Sequence, residues 1–456
     1  MQKNEEYIVD IIDNGFEGEG IAKINNFTVF IPGAIKGEKI KILIVKVLKS
    51  HAFGKILEII NPSLDRNSEV DCSTYKRCGG CNLRHVKYTK TLEIKRNIVQ
   101  NLVNKSLKDK ITVKETIGME LPFYYRNKAQ FPVGVDKKGD PIIGVFANRT
   151  HEIIPINECQ IQTKEAQEIA KAICEFVKNN NISIYNEKKQ KGTLRHIIVK
   201  TGLKTNEIMC ILVVNNPDIP KEDELVQYLT SKFSNIKTIV KNINNKNTNV
   251  ILGSENINLY GDGYIFDKLE NYTFKISPLS FYQINPVQTE KLYNIALQGA
   301  NLTGKEVVFD LYCGIGTIGI FMANKAKKIY GIEIVEEAIK DAIENCKINN
   351  ITNAEYLAGD TEKLLTDLIE NRKIKPDVIV VDPPRKGLDN KTVENILKIK
   401  PNRVVYVSCN PATLMRDLSK LESEYKIKEI QPVDMFPFTS HVECVSVLEL
   451  KESTEK

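Results

Sequence analysis

From about residue 276 onward the chain alternates short apolar runs with amphipathic stretches, and no other feature constrains its fold as tightly. Strands are expected at Val307-Val308-Phe309, Lys328-Ile329-Tyr330-Gly331-Ile332, Val378-Ile379-Val380-Val381 and Val404-Val405-Tyr406-Val407. Helices are expected around 317–325, 335–349, 390–399 and 411–420. Strand–helix alternation of this kind covers both faces of a sheet and specifies a doubly wound parallel α/β architecture. Ligands of such sheets bind beyond the carboxyl ends of the strands. Three further features fall at those ends.

The first is the glycine-rich turn Asp310-Leu311-Tyr312-Cys313-Gly314-Ile315-Gly316-Thr317-Ile318-Gly319, which follows one strand and opens a helix. Its glycines let the backbone turn sharply and approach a nucleoside closely. Glu333 ends the next strand, where an acidic residue can accept both ribose hydroxyls. A glycine turn alone leaves dinucleotide binding open, but this loop is shorter and less glycine-rich than Gly-x-Gly-x-x-Gly. The second feature, Asp382-Pro383-Pro384-Arg385, points to S-adenosylmethionine instead. Its two prolines stiffen a loop bordering a methyl donor and a target base. By itself that motif suggests methylation of an exocyclic nitrogen.

The third feature changes that reading. Cys409 lies in Ser408-Cys409-Asn410-Pro411, directly after an apolar run. Carbon 5 of uracil is a poor nucleophile until a thiolate adds at carbon 6 and turns the ring into an enolate. The chemistry then needs a thiol able to ionise and a base near carbon 5. Cys409 is the candidate thiol. Phe436-Pro437-Phe438-Thr439-Ser440-His441-Val442-Glu443 offers His441 and Glu443 as bases. A buried cysteine is more often inert than not, so the weight rests on the three features together.

Upstream, residues 1 to about 60 read as short strands with glycine turns: Tyr7-Ile8-Val9, Phe27 to Gly33 and Ile40 to Val45, ending near Asn61-Pro62. That spacing without helical period suggests a small β-barrel. Residues 92–107 carry apolar stripes (Leu92, Val99, Val103, Leu107 and Ile94, Ile98, Leu102) and read as an amphipathic helix. From Arg84 to Lys110 there are eight Lys and Arg against Glu93 and Asp109, a basic run whose ordinary reading is a solvated helix face. Residues 121 to about 275 mix strands with helices.

With 42% hydrophobic and 27% charged residues the composition is that of a soluble globular protein. No apolar stretch reaches the ~20 residues of a membrane helix, and the polar N-terminus reads as no secretory signal. A cytoplasmic location is expected. The net charge of +6 is weak evidence for a polyanionic partner. Ten cysteines in that setting should be thiols, metal ligands or catalysts rather than disulfides. Cys72, Cys78 and Cys81 fall within ten residues and Cys159 is the next in the chain. Four sulfurs suit tetrahedral zinc or an iron–sulfur cluster, and the spacing does not choose. It does not match the Cys-x3-Cys-x2-Cys of radical enzymes. Cys174, Cys210, Cys313, Cys346 and Cys444 read as packing or reduced thiols.

Taken together the chain resembles the bacterial 23S rRNA (uracil-5-)-methyltransferases, relatives of the tRNA uracil-5-methyltransferases. The resemblance rests on the four cysteines, Tyr125-Arg126-Asn127-Lys128-Ala129-Gln130-Phe131, Phe281-Tyr282-Gln283-Ile284-Asn285, the glycine turn, Asp382 to Arg385, Ser408 to Leu414, and His441-Val442-Glu443. It implies an OB-like TRAM barrel over 1–60 that binds RNA, a central α+β domain over 61–275 holding a [4Fe–4S] cluster, and a Rossmann-like catalytic domain over 276–456. Residues near 87–120 are placed so that they could pack with the catalytic domain. It implies S-adenosylmethionine contacts by Gln283, Tyr312, Glu333 and Asp382, a nucleophilic Cys409, a base at Glu443, and cluster ligands Cys72, Cys78, Cys81 and Cys159. Thr317, where some relatives have asparagine, and Pro384, where some have alanine, depart from the pattern.

Because the tRNA enzymes it resembles typically lack both barrel and cysteines, 23S rRNA is the expected substrate and tRNA the alternative. Phe27 and Phe30 are candidate stacking residues for single-stranded RNA, and the target uracil would leave its stack to reach Cys409. A monomer is expected, with no DNA or membrane partner. Rivals from other classes are an inactive iron–sulfur RNA-binding protein and an amino-group methyltransferase working through Asp382-Pro383-Pro384-Arg385 without Cys409.

Overall fold

The structure is a computed structural model that describes residues 1–147 and 150–452. Residues 6–61 form a six-stranded sheet. Glu6–Asp10 pairs with Lys39–Val47 at one end of the strand order, and Asp13–Asn14 pairs with Gly20–Ile24 at the other. These two pieces are successive stretches of one segment, so the sheet closes on itself as a barrel. Val29, Ile31, Ile40, Ile42, Ile44 and Ala52 fill it. The strand His51–Asn61 was not legible in the sequence, because its outer half is exposed and carries no clean alternation. Phe27, expected as a stacking residue, instead packs against the barrel core. Phe30 does face outward, where it meets His51 and Phe53 with ring centroids 5.3 and 6.0 Å away.

The middle of the chain builds a second, seven-stranded sheet from residues 128–260, with helices Lys164–Asn179 and Glu222–Lys232. Leu194–Thr201 and Ile208–Val214 are buried throughout and lie at its centre. A two-stranded ribbon, Ile265–Leu269 with Tyr272–Ile276, leads into the last sheet.

That last sheet has five parallel strands: Ala354–Ala358, Lys328–Glu333, Val307–Leu311, Val378–Val381 and Arg403–Ser408, in that spatial order. The four expected strands are present. The expected all-parallel sheet is not, because Glu443–Leu450 and Tyr425–Val433 add two antiparallel strands at one edge. Burial on both faces removes the alternation from most of Glu443–Leu450, while Tyr425–Val433 alternates over Tyr425–Lys428 and is buried on both faces only from Ile430 on. Helix Pro286–Ala300 is also new; Asn285 caps it by accepting from the Gln288 N–H, with proline in its first turn.

Helix Tyr88–Ser106 packs on helix Pro411–Leu421 and strand Tyr425–Val433, burying Val99 and Val103 in the catalytic core. The basic run around it is not a uniformly solvated face. Lys95 is fully buried and pairs with the equally buried Asp434, and Arg84 is buried over the rings of Phe438 and Phe123. Tertiary pairing overrides the surface habit of these cations: a charge leaves water only where a partner replaces hydration.

Candidate active site

A cleft of about 1070 Å³ opens at the carboxyl ends of the parallel strands. Cys409, Glu443, Gln283, Tyr312, Glu333 and Asp382 all line it. Strand order explains the convergence. Tyr312, Asp382 and Cys409 each follow the last residue of neighbouring parallel strands, and Glu333 ends the next strand over. Glu443 arrives from the antiparallel edge. Ser408 lies opposite Cys444, so one step further along the ladder sets Cys409 beside Glu443. His441 is not among the residues lining the cleft.

At the glycine turn, Gly316 adopts φ +81°, and a Cβ there would come within 2.8 Å of the Tyr356 hydroxyl. Gly331 has still less room, 2.2 Å from the Tyr356 ring. The Asp310 carboxylate accepts the Gly319 N–H at 2.9 Å and ties the turn to its strand. Glu333 accepts from the N–H groups of Gly314 (3.2 Å) and Val335 (3.0 Å), which fixes its carboxylate at the cleft wall with lone pairs left over. The Tyr312 hydroxyl donates to Asp389 at 3.3 Å. The Gln283 side-chain amide donates to Asp382 at 3.3 Å, while Asn127 donates to the Gln283 carbonyl at 2.9 Å. A long cleft with the Glu333 carboxylate on its wall and a main-chain turn at its floor has the room and the acceptors for a nucleoside-sized ligand.

Three ionisable groups at the inner end are all held toward their neutral forms. Burial pushes the Asp382 carboxyl up to about 7, against the Gln283 hydrogen bond. Burial and then the Asp382 charge push Glu443 up to about 8, with Arg385 opposing. Burial, then Glu443 and Asp382, push the Cys409 thiol up to about 11, again with Arg385 opposing. Glu443 Oε2 is buried and, among the described residues, finds no hydrogen-bond partner. A half-buried thiol, a desolvated carboxyl and a second carboxyl therefore share one end of a cleft that fits a nucleoside.

The four upstream cysteines come together as well. Cys72, Cys78, Cys81 and Cys159 line one cavity of about 150 Å³, along with Arg84 and Arg126. The Gly80 N–H donates to Cys78 Sγ at 3.2 Å. No three His, Cys, Asp or Glu side chains among the described residues are drawn together tightly enough to hold a single metal ion. The four cysteines singled out in the sequence thus line one space. All ten cysteines are free thiols, and Cys174, Cys210, Cys313, Cys346 and Cys444 are buried.

Sequence reasoning passed over Lys128 as a cleft residue; it lines the wall beside Gln283, and burial holds its ammonium below the usual lysine range. It also passed over Phe281, which is 64% exposed at the cleft and is the sort of unburied aromatic that a single strand stacks on. An exposed ring has no periodic signature, so only the folded cleft marks it.

Residues 87–451 match the family model described as tRNA (Uracil-5-)-methyltransferase, and residues 2–57 match the TRAM domain model. An uncharacterized RNA methyltransferase of Clostridium acetobutylicum is 49% identical over 452 residues, spanning 98% of each chain. One of Clostridium tetani is 47% identical over 449 residues, 98% of this chain and 97% of that one. Among solved structures, the Pyrococcus abyssi tRNA (uracil-54, C5)-methyltransferase in complex with S-adenosyl-L-homocysteine is similar with a TM-score of 0.76 at 28% identity, covering 97% of this chain and 99% of the other.

Proposed function

Since this chain belongs to the tRNA (uracil-5-)-methyltransferase family and is a SAM-dependent RNA methyltransferase, we propose that it methylates carbon 5 of a specific uridine in 23S rRNA, with Cys409 as nucleophile and Glu443 as base. The observation that carries the chemistry is the register that sets Cys409 beside a desolvated, unpartnered Glu443 at the inner end of the cleft. S-adenosylmethionine would supply the methyl group, and Gln283, Tyr312, Glu333 and Asp382, which line the cleft, would hold it. Cys409 Sγ bonds to carbon 6, and carbon 5 takes the methyl group. Glu443 then accepts the proton remaining on carbon 5, the Sγ–carbon 6 bond breaks, and the thiolate is restored. An amino-group methyltransferase has no use for this thiol–carboxylate pair.

The TRAM barrel and the cysteine cavity support rRNA through the resemblance of the sequence to the rRNA enzymes. A second reading, tRNA, has its own support: the similar archaeal structure is that of a tRNA (uracil-54, C5)-methyltransferase, and the likeness covers nearly the full length, barrel region included. In the same reading Cys72, Cys78, Cys81 and Cys159 hold a [4Fe–4S] cluster. The support for that reading is the resemblance to the rRNA enzymes together with the gathering of the four thiols on one cavity. Iron and acid-labile sulfide in protein purified without oxygen, both lost in Cys81→Ser, are the expected result; zinc alone would overturn it.

Incubation with S-adenosylmethionine and 5-fluorouridine-substituted 23S rRNA fragments or tRNA tests the main reading. Fluorine cannot leave as a proton, so a protein–RNA adduct should survive a denaturing gel and disappear in Cys409→Ala. An adduct on tRNA alone would replace the substrate, and none on either RNA would overturn the chemistry.

A further inference from the structure

The turn that delivers Glu443 to the cleft is anchored by residues far upstream. Phe438 has φ +65°, is buried, and its carbonyl accepts the Leu83 N–H at 2.9 Å. Two residues on, the Ser440 N–H donates to Asn82 Oδ1 at 2.8 Å, and Asn82 Nδ2 donates to Ser440 Oγ at 3.0 Å. The same Nδ2 donates to the Glu17 carbonyl of the barrel at 2.6 Å. Beside that carbonyl, Gly18 lies so close that a Cβ would fall 2.6 Å from Leu83 and 3.4 Å from Ser440. The barrel, the end of the cysteine segment and the turn before Glu443 thus meet at one side chain.

We infer that Asn82 is a positioning residue for carbon 5 deprotonation: its paired hydrogen bonds to Ser440 hold the Phe436–His441 turn so that Glu443 enters the cleft beside Cys409. The inference rests on the reading of Glu443 as the base. Glu443 Oε2 has no partner of its own to fix its direction, so its aim depends on the backbone that carries it. On one side that backbone is the strand Glu443–Leu450, paired to Arg403–Ser408. On the other side, Val442 is buried in the catalytic core, and Ser440, two residues before it, is the clasped position. The Asn82 side chain is not among the groups lining the cleft or the cysteine cavity; only its carbonyl, which a substitution keeps, accepts from Tyr75 of the cavity wall at 3.3 Å. Loss of the side chain therefore leaves methyl-donor binding and thiol addition in place and slows the later proton step.

The test uses the full-length protein with RNA carrying tritium at carbon 5 of uridine and ¹⁴C-methyl S-adenosylmethionine. Methyl transfer is read as ¹⁴C on RNA, and proton abstraction as tritium released to water. In Asn82→Ala, tritium release should fall about 10- to 100-fold, the scale of a misplaced catalytic group, while ¹⁴C accumulates in a denaturation-resistant protein–RNA adduct. Asn82→Asp keeps the acceptor for the Ser440 N–H and should restore most of the release. Wild-type release in Asn82→Ala, or equal loss of both labels with no adduct, would overturn the inference. If Asn82→Ala does not fold, Asn82→Asp decides: release as poor as in Glu443→Gln overturns it, and near-wild-type release supports it. Adduct accumulation in Glu443→Gln but not Asn82→Ala rejects the positioning role alone; no adduct in Glu443→Gln rejects the base.

Discussion

Ser408 and Cys444 face each other across an antiparallel ladder, and that register makes neighbours of Cys409 and Glu443, residues that the chain separates by a helix and a strand. A slip of one residue would turn every side chain of the strand Glu443–Leu450 to the opposite face and take Glu443 out of the cleft. The pairing has an electrostatic consequence. Each acidic group makes its neighbour harder to ionise, so the free protein stores Cys409 as a thiol.

This leads to a measurable reactivity. Iodoacetamide should alkylate Cys409 slowly at pH 7 to 8, with a rate that climbs toward the upshifted pKa of about 11. Removing a nearby negative charge favours the thiolate, so Glu443→Gln and Asp382→Asn should each bring the pH midpoint down. The cationic sulfonium of S-adenosylmethionine should do the same, whereas uncharged S-adenosyl-L-homocysteine should not. Midpoints unaffected by either carboxylate would contradict the proximity of the three groups.

Turnover should rise with pH. A base works only when deprotonated, and Glu443 titrates near 8, so the proton-abstraction rate should increase from pH 6.5 to 9 and level off. Glu443→Gln should lower turnover by about 100-fold or more and abolish that rise, as followed by tritium release.

Stability should move the opposite way. Asp310, Asp382 and Glu443 have folded-state values of about 8, 7 and 8, all above those of unfolded carboxyls. The native state therefore holds more protons than the unfolded chain between pH 4.5 and 8, and the unfolding free energy falls as pH rises through that window. Thermal melts of the free protein should show the midpoint declining from pH 6 to 8.5. Asp382→Asn should flatten the decline.

The Lys95–Asp434 pair offers a test of packing against the turn that leads to Glu443. Tyr88 also donates to Asp434 at 2.8 Å, and Lys95 to the Phe436 carbonyl at 3.0 Å. Lys95→Ala strands a buried carboxylate, at a cost of about 3–5 kcal/mol, measurable by urea unfolding. Lys95→Met with Asp434→Leu should recover part of that loss, since the two buried charges disappear together.

On the barrel, Phe30, His51 and Phe53 form an outward-facing ring cluster next to Lys46, which pairs with Phe53 across the sheet. Phe30→Ala and Phe53→Ala should each weaken RNA binding by about 1–3 kcal/mol in a filter-binding assay. Affinity for S-adenosylmethionine should stay the same. Phe27→Ala should instead lower the melting temperature.

The sequence by itself marked four of the parallel strands and the residue types at their tips. Four of the five parallel strands were legible as short apolar runs, three of them leading into glycine, proline or asparagine, whereas Ala354–Ala358 was not; the turn at Gly316 and the loop at Asp382 were legible because those residue types are locally required there. Local patterning reports burial over a few residues, and it cannot say which distant segment does the burying. Only the tertiary structure decided that Glu443 reaches the cleft on an antiparallel strand, that Cys159 joins the cavity of Cys72, Cys78 and Cys81, that Lys95 leaves solvent for Asp434, and that Phe27 turns inward while Phe30 does not. Each of these is settled by strand register or by the pairing of charges across long stretches of chain, where packing of the whole molecule outweighs the preference of any single segment.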